Sequence, residues 1–379
     1  MSRRLIVSIF VLSGCGPSLK DNVARLPPAK SEAVHELEAG VRQIKLGPQS
    51  YARALERLEA ARQIDPNLWE AWYDTGWVLQ EMRQLEKAAE AYEKALAINA
   101  AHAPSVAALG AAYLGLRRPG DAARVYRRFL DGNKAVAPAV ERSLRIQLAS
   151  ALRQSGKGDD AIAELRNVLR GDGRNASALA GLGLVYESKG QHELAELVIR
   201  RALEVVDKDR PQVAAAAWND LGLVLLSLRR DQEAFAAFDK AAALDPQLAE
   251  ARYNRAAVYL DCGDYGSAAK ELARLTEAQA GNVEAWVALG VAQRGLGKLD
   301  EARRAYEQAL AVDPNDPSAL YNEGVLLMDF KKDPAEARGY FTRFIHAADS
   351  SHPKRPDAEA RLKDLTKNAP PPAPEHKGN

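Results

Sequence analysis

A self-match at a shift of 34 residues constrains this chain more than any other feature. Within residues 69–130, Trp72, Gly76, Leu79, Ala88, Tyr92 and Ala95 fall on Val106, Gly110, Tyr113, Ala122, Tyr126 and Phe129. Trp72, Gly76 and Leu79 are spaced i, i+4, i+7 and so share one helix face, and Ala88, Tyr92 and Ala95 repeat that spacing on a second helix. Small residues at Gly76 and Ala88 let two helix axes approach, and bulky neighbours fill the gaps beside them. One such hairpin cannot bury its apolar face alone, whereas stacked copies can. The fold expected is an all-α solenoid.

The repeat can be followed by phase. The small residue of the first helix recurs at Gly76, Gly110, Ala149, Gly183, Gly222, Ala256, Gly290 and Gly324, and that of the second at Ala88, Ala122, Ala161, Ala195, Ala234, Ala268 and Ala302. Two steps of 39 imply five-residue insertions near 131–138 and 207–211, whose proline and charge read as loops. In the last unit the second small residue slips by one to Ala337, which a longer connection at 331–334 would explain. Gly120-Asp121, Gly156, Gly190, Gly263 and Gly297 mark turns between helices, and Asp65-Pro66, Asp245-Pro246 and Asp313-Pro314 mark exits. A degenerate first unit carries Val34, Leu37, Val41 and Ile44 on one helix and Ala54, Leu58 and Ala61 on the next, with Gly47-Pro48 as the turn and Ser50 placed to cap. Nine units then occupy 31–348, a polar capping helix falls within 349–367, and the Pro-rich stretch 368–379 reads as disordered.

With Trp72, Trp218 and Trp286 at one phase beside Gly76, Gly110, Gly183, Gly222, Gly290 and Gly324, the pattern resembles the tetratricopeptide repeat. The resemblance implies helix-turn-helix units in a right-handed superhelix, with the first helices lining a concave groove. In that frame the fifth and ninth positions of the first helix face inward. They include Tyr73 and Trp77, Asn219 and Leu223, Tyr253, and Tyr321 with Val325, whereas Ala107, Ala111 and Val287 read as packing residues. The Lys and Asn pair with which chaperone-binding relatives clamp a peptide carboxylate is missing from these positions. The mostly apolar row suits an amphipathic helix or an extended segment of a partner.

The chain opens with Arg3 and Arg4, a short apolar run over residues 5–12, and Leu12-Ser13-Gly14-Cys15. The run is too short to span a bilayer. The ensemble reads as a leader, residues 1–14, and resembles the lipobox of bacterial lipoproteins. The resemblance implies cleavage before Cys15 and lipidation of its thiol and amine, palmitate among the acyl chains. Gly16 in place of Asp implies sorting to the outer membrane, facing the periplasm, and residues 15–30 serve as a tether. The second cysteine, Cys262, is expected to be an unpaired buried thiol.

Composition narrows the function. The formal charge is +1 and falls to −1 without Arg3 and Arg4, a balance that gives no support to nucleic-acid binding, which needs a basic face. The arginine doublets at 117–118, 127–128, 200–201, 229–230 and 303–304 have acids nearby and read as solvated faces with local ion pairs. His35, His102, His192, His346, His352 and His376 form no metal-ligand spacing, and no phosphate loop or nucleophile elbow occurs. Gly181-Leu182-Gly183 lies within helix periodicity, and Asp159-Asp160 sit at a helix start. The expectation is a protein without catalysis, cofactor, metal or small-molecule substrate. Its partners would be other envelope proteins, held in the groove. Lipoproteins of similar layout occur in gliding-motility machinery and among pilotins of pilus secretins. The longer array favours the former as the resemblance, and a regulator of peptidoglycan synthesis is a further alternative.

Overall fold

The computed structural model describes residues 28–133, 136–206 and 210–367, and every regular element among them is helical. Cys15, the leader and the stretch 368–379 lie outside the described residues. Among the described residues, nine helix pairs follow one another. The first helices are α1 (Ser31–Leu46), α3 (Trp69–Glu81), α5 (Ala103–Gly115), α7 (Pro138–Gln154), α9 (Ala176–Ser188), α11 (Pro211–Ser227), α13 (Ala249–Asp261), α15 (Val283–Gly295) and α17 (Pro317–Val325). The second helices are α2 (Tyr51–Ile64), α4 (Leu85–Ile98), α6 (Pro119–Gly132), α8 (Gly158–Gly171), α10 (His192–Val205), α12 (Asp231–Leu244), α14 (Tyr265–Ala278), α16 (Leu299–Val312) and α18 (Pro334–Ala347). A last helix, α19 (Arg355–Lys367), packs on α18.

The chain forms two compact units, one running to Val198 and one starting at Ile199. In each, a helix packs on its neighbours in sequence, and successive first helices also touch, as α3 does α1 and α5, and α15 does α13 and α17. Among the described residues the second helices make no comparable contact with one another, so the first helices take the inner side of each unit.

A glycine and a ring hold five of the described pairs, Gly110 with Tyr126 among them, whereas Gly183 of α9 has the fully buried Ile199 sixteen places on. Gly76 lies under Tyr92, Gly222 under Phe238, Gly290 under Tyr306 and Gly324 under Phe341, and each ring is fully buried. A Cβ on Gly76 would come within 2.6 Å of Tyr92 Cε1. Where the first helix carries Ala149 or Ala256 instead, the residue sixteen places on is a buried leucine, Leu165 or Leu272. Volume is thus exchanged across the seam at nearly constant total, as close packing requires.

The turns show a second regularity. Eight first helices end at a residue in the left-handed region: Arg83, Arg117, Gly156, Gly190, Arg229, Gly263, Gly297 and Lys332. In seven of them the next amide reaches back five residues, as in Gln84 N–H to Leu79 C=O at 2.9 Å and Lys298 N–H to Gln293 C=O at 2.9 Å, closing the helix end; after Lys332 the Asp333 amide reaches back six, to Leu327. The four glycines fall where the sequence places turns. The turn assigned to Gly120-Asp121 is instead made at Arg117 (φ 57°), with Gly120 already inside α6. The second helices leave through Asx turns, such as Asn67 N–H to Asp65 Oδ1 at 3.0 Å and Asn315 N–H to Asp313 Oδ1 at 2.9 Å.

Four other expectations are corrected. Of the insertions near 131–138 and 207–211, residues 134–135 and 207–209 lie outside the described residues, and α7 and α11 run 17 residues where α3 and α5 run 13, so most of the added length is a further helical turn. The slip to Ala337 arises inside the first helix, where a π turn (Leu326–Lys331) takes up one extra residue. In α1 the buried residues are Ala33 and Gly40, flanked by Leu37 and Ile44; Val34 and Val41 are only partly covered, and Ser50 makes no side-chain cap. Cys262 is exposed, because it follows the last residue of α13 on the turn side.

The seam and the turns predict stability separately. Gly76→Ala should cost about 1–3 kcal/mol by overpacking against Tyr92, and Gly297→Ala about 1 kcal/mol by strain at positive φ. Gly120→Ala, with nothing within 4 Å of its Cβ, should cost nothing. Urea unfolding followed by circular dichroism checks all three.

Candidate binding surface

The signature residues are used up in packing. Trp72 donates its indole N–H to the Pro66 carbonyl at 3.2 Å under the Arg62 guanidinium, 4.2 Å from the ring centre. Trp286 donates likewise to Ala280 at 2.8 Å, and Trp218 lies 4.3 Å from Lys240 Nζ. Ala88, Ala122, Ala195, Ala234 and Ala302 are fully buried. These side chains read the preceding exit turn and the partner helix, so they offer a ligand little.

The groove candidates divide into two sets. Tyr73 is 8% exposed and its ring packs on Tyr92 (5.8 Å between centres) and edge-on to His102 (5.0 Å). Asn219 is 7% exposed and accepts a hydrogen bond from Asn254 Nδ2 at 2.8 Å. Asn219 serves the contact between successive first helices, whereas Tyr73 packs on the second helix α4 and on the N-cap of α5. Trp77, Leu223, Tyr253 and Tyr321 lie on first helices and are half-buried. Trp77 meets Tyr51 edge-on at 5.9 Å. Tyr321 packs on Phe341 and Phe344 and donates its hydroxyl to Asp357 Oδ2 at 2.7 Å.

The second unit has a cleft of about 280 Å³ built around Tyr321. Its floor comes from α17 through Ser318, Tyr321, Asn322 and Val325, one wall from Arg294 of α15, and the other from His352, Lys354 and Arg361. Arg361 is committed, binding both Asp329 oxygens at 2.9 Å and Asp357 at 2.7 Å. Arg294 forms no ion pair among the described residues, and its Nη1 is buried without a hydrogen-bond partner. Lys354 likewise forms no ion pair among them; its ammonium lies 5.7 Å from the Tyr321 ring centre. Burial and the hydrogen bond to Asp357 push the Tyr321 hydroxyl up to about 12, so it remains a neutral donor. Repeat phase locates Tyr321 and Val325 in the sequence. Arg294, Lys354 and Arg361 escape it, because they converge from three elements with no common period.

Two buried carboxyl groups stand out elsewhere. Asp74 on α3 is 3% exposed with one oxygen unpartnered, and burial, reinforced by Glu70, pushes it up to about 7. Glu323 on α17 is fully buried; Arg303 Nε lies 3.3 Å away but neither carboxylate oxygen accepts a hydrogen bond, and burial again raises it to about 7. Arg303 is shared with Glu307 and Glu336. The doublets behave as expected, with Arg118 on Asp121, Arg201 on Glu204, Arg230 on Glu233 and Arg304 on Glu301. Among the described residues no group of His, Cys, Asp and Glu could hold a metal ion, and no helix is long and apolar enough to cross a membrane.

Comparison with known proteins agrees with this geometry. Family models described as tetratricopeptide repeat match residues 69–102, 146–212, 225–293 and 288–353, together more than half of the chain. The chain belongs to the tetratricopeptide repeat family. Among curated proteins it is similar to the BBSome complex member BBS4 of Bos taurus, 26% identical over 72% of this chain and 51% of the relative. It is also similar to the peroxisomal targeting signal receptor of Kluyveromyces lactis, 25% identical over 73% and 46%. The chain thus spans about half the length of these relatives. Among solved structures, the pilF protein of Pseudomonas aeruginosa is 20% identical over 60% of this chain and 97% of its own, with a TM-score of 0.49.

The buried acids set a pH dependence. An acid whose native pKa lies above its unfolded value holds its proton longer in the native state, so stability is highest below about pH 4 and falls as pH rises through about 7. Asp74→Asn should therefore raise the unfolding free energy at pH 8, by on the order of 1–3 kcal/mol, and leave it unchanged at pH 4. Equilibrium urea unfolding at the two pH values measures this.

Proposed function

We propose that this protein is a non-catalytic scaffold that holds protein partners on the inner face of its first helices, anchored to the outer membrane by lipid on Cys15. The observation that carries the reading is the division of labour on those helices. The signature residues are spent on packing, whereas Trp77, Leu223, Tyr253 and Tyr321 are half-buried and retain apolar and aromatic surface. Half-buried aromatics of this kind supply most of the energy at protein interfaces. A surface built on rigid helices binds at low ordering cost. Tetratricopeptide repeats in a complex member and in a targeting receptor, as the relatives' names describe them, fit the same role.

The first sixteen residues support a setting. Arg3, Arg4, the apolar run and Cys15 support a lipoprotein leader, and Gly16 supports an outer-membrane address on the periplasmic side. A multi-protein envelope machine, of the gliding-motility type, is the context this reading favours. A pilotin-like role in secretin assembly and regulation of a peptidoglycan-synthesis enzyme are the alternatives. Affinity capture from detergent-solubilised membranes separates them by what is returned: motility components, a secretin, or murein synthases.

Two variants test the parts. Cys15→Ala should move the protein from the outer-membrane fraction to the soluble periplasmic fraction; retention in the membrane would rule out the lipid anchor. Trp77→Ala should weaken capture of the partner at least fivefold while costing less than about 1–2 kcal/mol of stability, the loss expected for a half-buried side chain. A loss of about 3–5 kcal/mol would make Trp77 a core residue.

A further inference from the structure

The four non-glycine residues in the left-handed region are all cations: Arg83, Arg117, Arg229 and Lys332. Glycine is favoured at that place, because a Cβ there crowds the backbone. A cation beside a helix C-terminus gains from the macrodipole. That accounts for the charge but not for its neighbours, since Met82, Leu116 and Leu228 precede three of the four. The first unit carries the densest case. Its first three turns present Leu46 beside Lys45, Met82 beside Arg83, and Leu116 beside Arg117. Leu46 is 59% exposed and Met82 38%. Lys45, Arg83 and Arg117 are exposed and form no ion pair among the described residues. The three turns adjoin. Tyr51, at the start of α2, meets Trp77 of α3 edge-on at 5.9 Å, and Leu85 Cδ1, at the start of α4, lies 2.8 Å from where a Cβ on Gly115 would stand. Over residues 45–49, 81–87 and 115–124, six cations stand against Glu81, Glu86 and Asp121. Asp121 is already held by Arg118 and Arg124. The next turn, Ser155-Gly156-Lys157, keeps a cation and has no apolar residue, so the row ends there. In the second unit the pairing recurs as Leu296 with Lys298 and Phe330 with Lys332.

We propose that this turn edge of the first unit, Leu46, Met82 and Leu116 with Lys45, Arg83 and Arg117, lies against a membrane surface bearing anionic phospholipid headgroups. Each apolar side chain has its own cation. In that arrangement the apolar part enters the headgroup boundary while the charge stays at the phosphates. A protein partner is held instead by a contiguous apolar centre inside a polar rim, which separate apolar-cation pairs do not make. The attraction adds along the row, because every cation near an anionic surface contributes and linked contacts reinforce one another. Arginine at the left-handed residue puts that charge on the turn itself, where glycine would put none. Residues 16–30 separate Cys15 from α1. Fully extended they reach roughly 50 Å, against about 24 Å for the length of α1, so an acylated Cys15 and this edge can meet one membrane. The proposal goes beyond the scaffold and anchor readings and requires neither.

Flotation of the purified chain with lipid vesicles tests it. The chain begun at Gly16 retains every described residue and carries neither the leader nor Cys15, so no acyl group contributes. Vesicles of phosphatidylcholine mixed with phosphatidylglycerol should bind it at least tenfold more tightly than vesicles of phosphatidylcholine alone, and added salt should weaken the binding. Arg83→Gly combined with Arg117→Gly relieves the left-handed strain. The urea midpoint of this variant should hold or rise while its vesicle binding falls at least fivefold. Leu46→Ser combined with Met82→Ser, both at exposed positions, should weaken binding by a similar factor. Lys94→Glu, at an exposed site further along α4, changes the net charge as much as the double glycine variant does and should leave binding unchanged. No preference for the anionic vesicles, binding unaltered by either double variant, or an equal fall with Lys94→Glu would each overturn the proposal. Poly-glutamate bound as tightly as the anionic vesicles would assign the edge to an acidic protein and overturn it as well. Because the tested chain lacks Cys15, failure here leaves the anchor and scaffold readings standing, and retention of vesicle binding does not depend on them.

Discussion

The structure depends on one contact, repeated: a buried ring of a second helix lying on a glycine of the first. The ring fills the space a side chain would need, so the axes approach and the surrounding alanines seat against them. Tyr92, Phe238, Tyr306 and Phe341 are all fully buried for this reason. Where alanine replaces glycine, leucine replaces the ring, and the seam keeps its width. Each unit is thereby held by its own pair and by its neighbours, which is how a chain of 379 residues can fold without a single central core.

That economy decides where function can reside. The faces that carry the repeat signature are closed by packing and by the exit turns beneath Trp72 and Trp286. The surface that remains is the inner side of the first helices, where successive first helices touch and the second helices do not reach. Tyr73 and Asn219 show the limit of the division, since packing takes a larger share of each than solvent does. Trp77, Leu223, Tyr253 and Tyr321, half-buried on first helices, keep more surface.

Periodicity makes most of this legible in the amino-acid sequence. The phase of Gly76 locates the pairs, the ring positions and the inner row, because those features share the repeat. What escapes is whatever the period does not encode. Arg83, Arg117, Arg229 and Lys332 occupy the left-handed turn that glycine fills elsewhere, so residue type alone does not mark them. A one-residue insertion reads as a longer loop and is a π turn, because a helix can absorb the extra residue by widening one turn. The added turns of α7 and α11 read as loops for their proline and charge, although proline is well suited to a first helical turn. The cleft is half legible: Tyr321 and Val325 follow the repeat, whereas Arg294, Lys354 and Arg361 meet only through tertiary packing.

The central claim is that the inner face of the first helices is the surface that holds partners. Site-specific photo-crosslinking in intact cells tests it most directly, with the photoreactive residue placed at Trp77, Tyr253 or Tyr321 and, for comparison, at the exposed Glu90 of α4. Discrete protein adducts from the three inner positions and none from Glu90 are predicted. Adducts from Glu90 with none from the inner positions would contradict the claim.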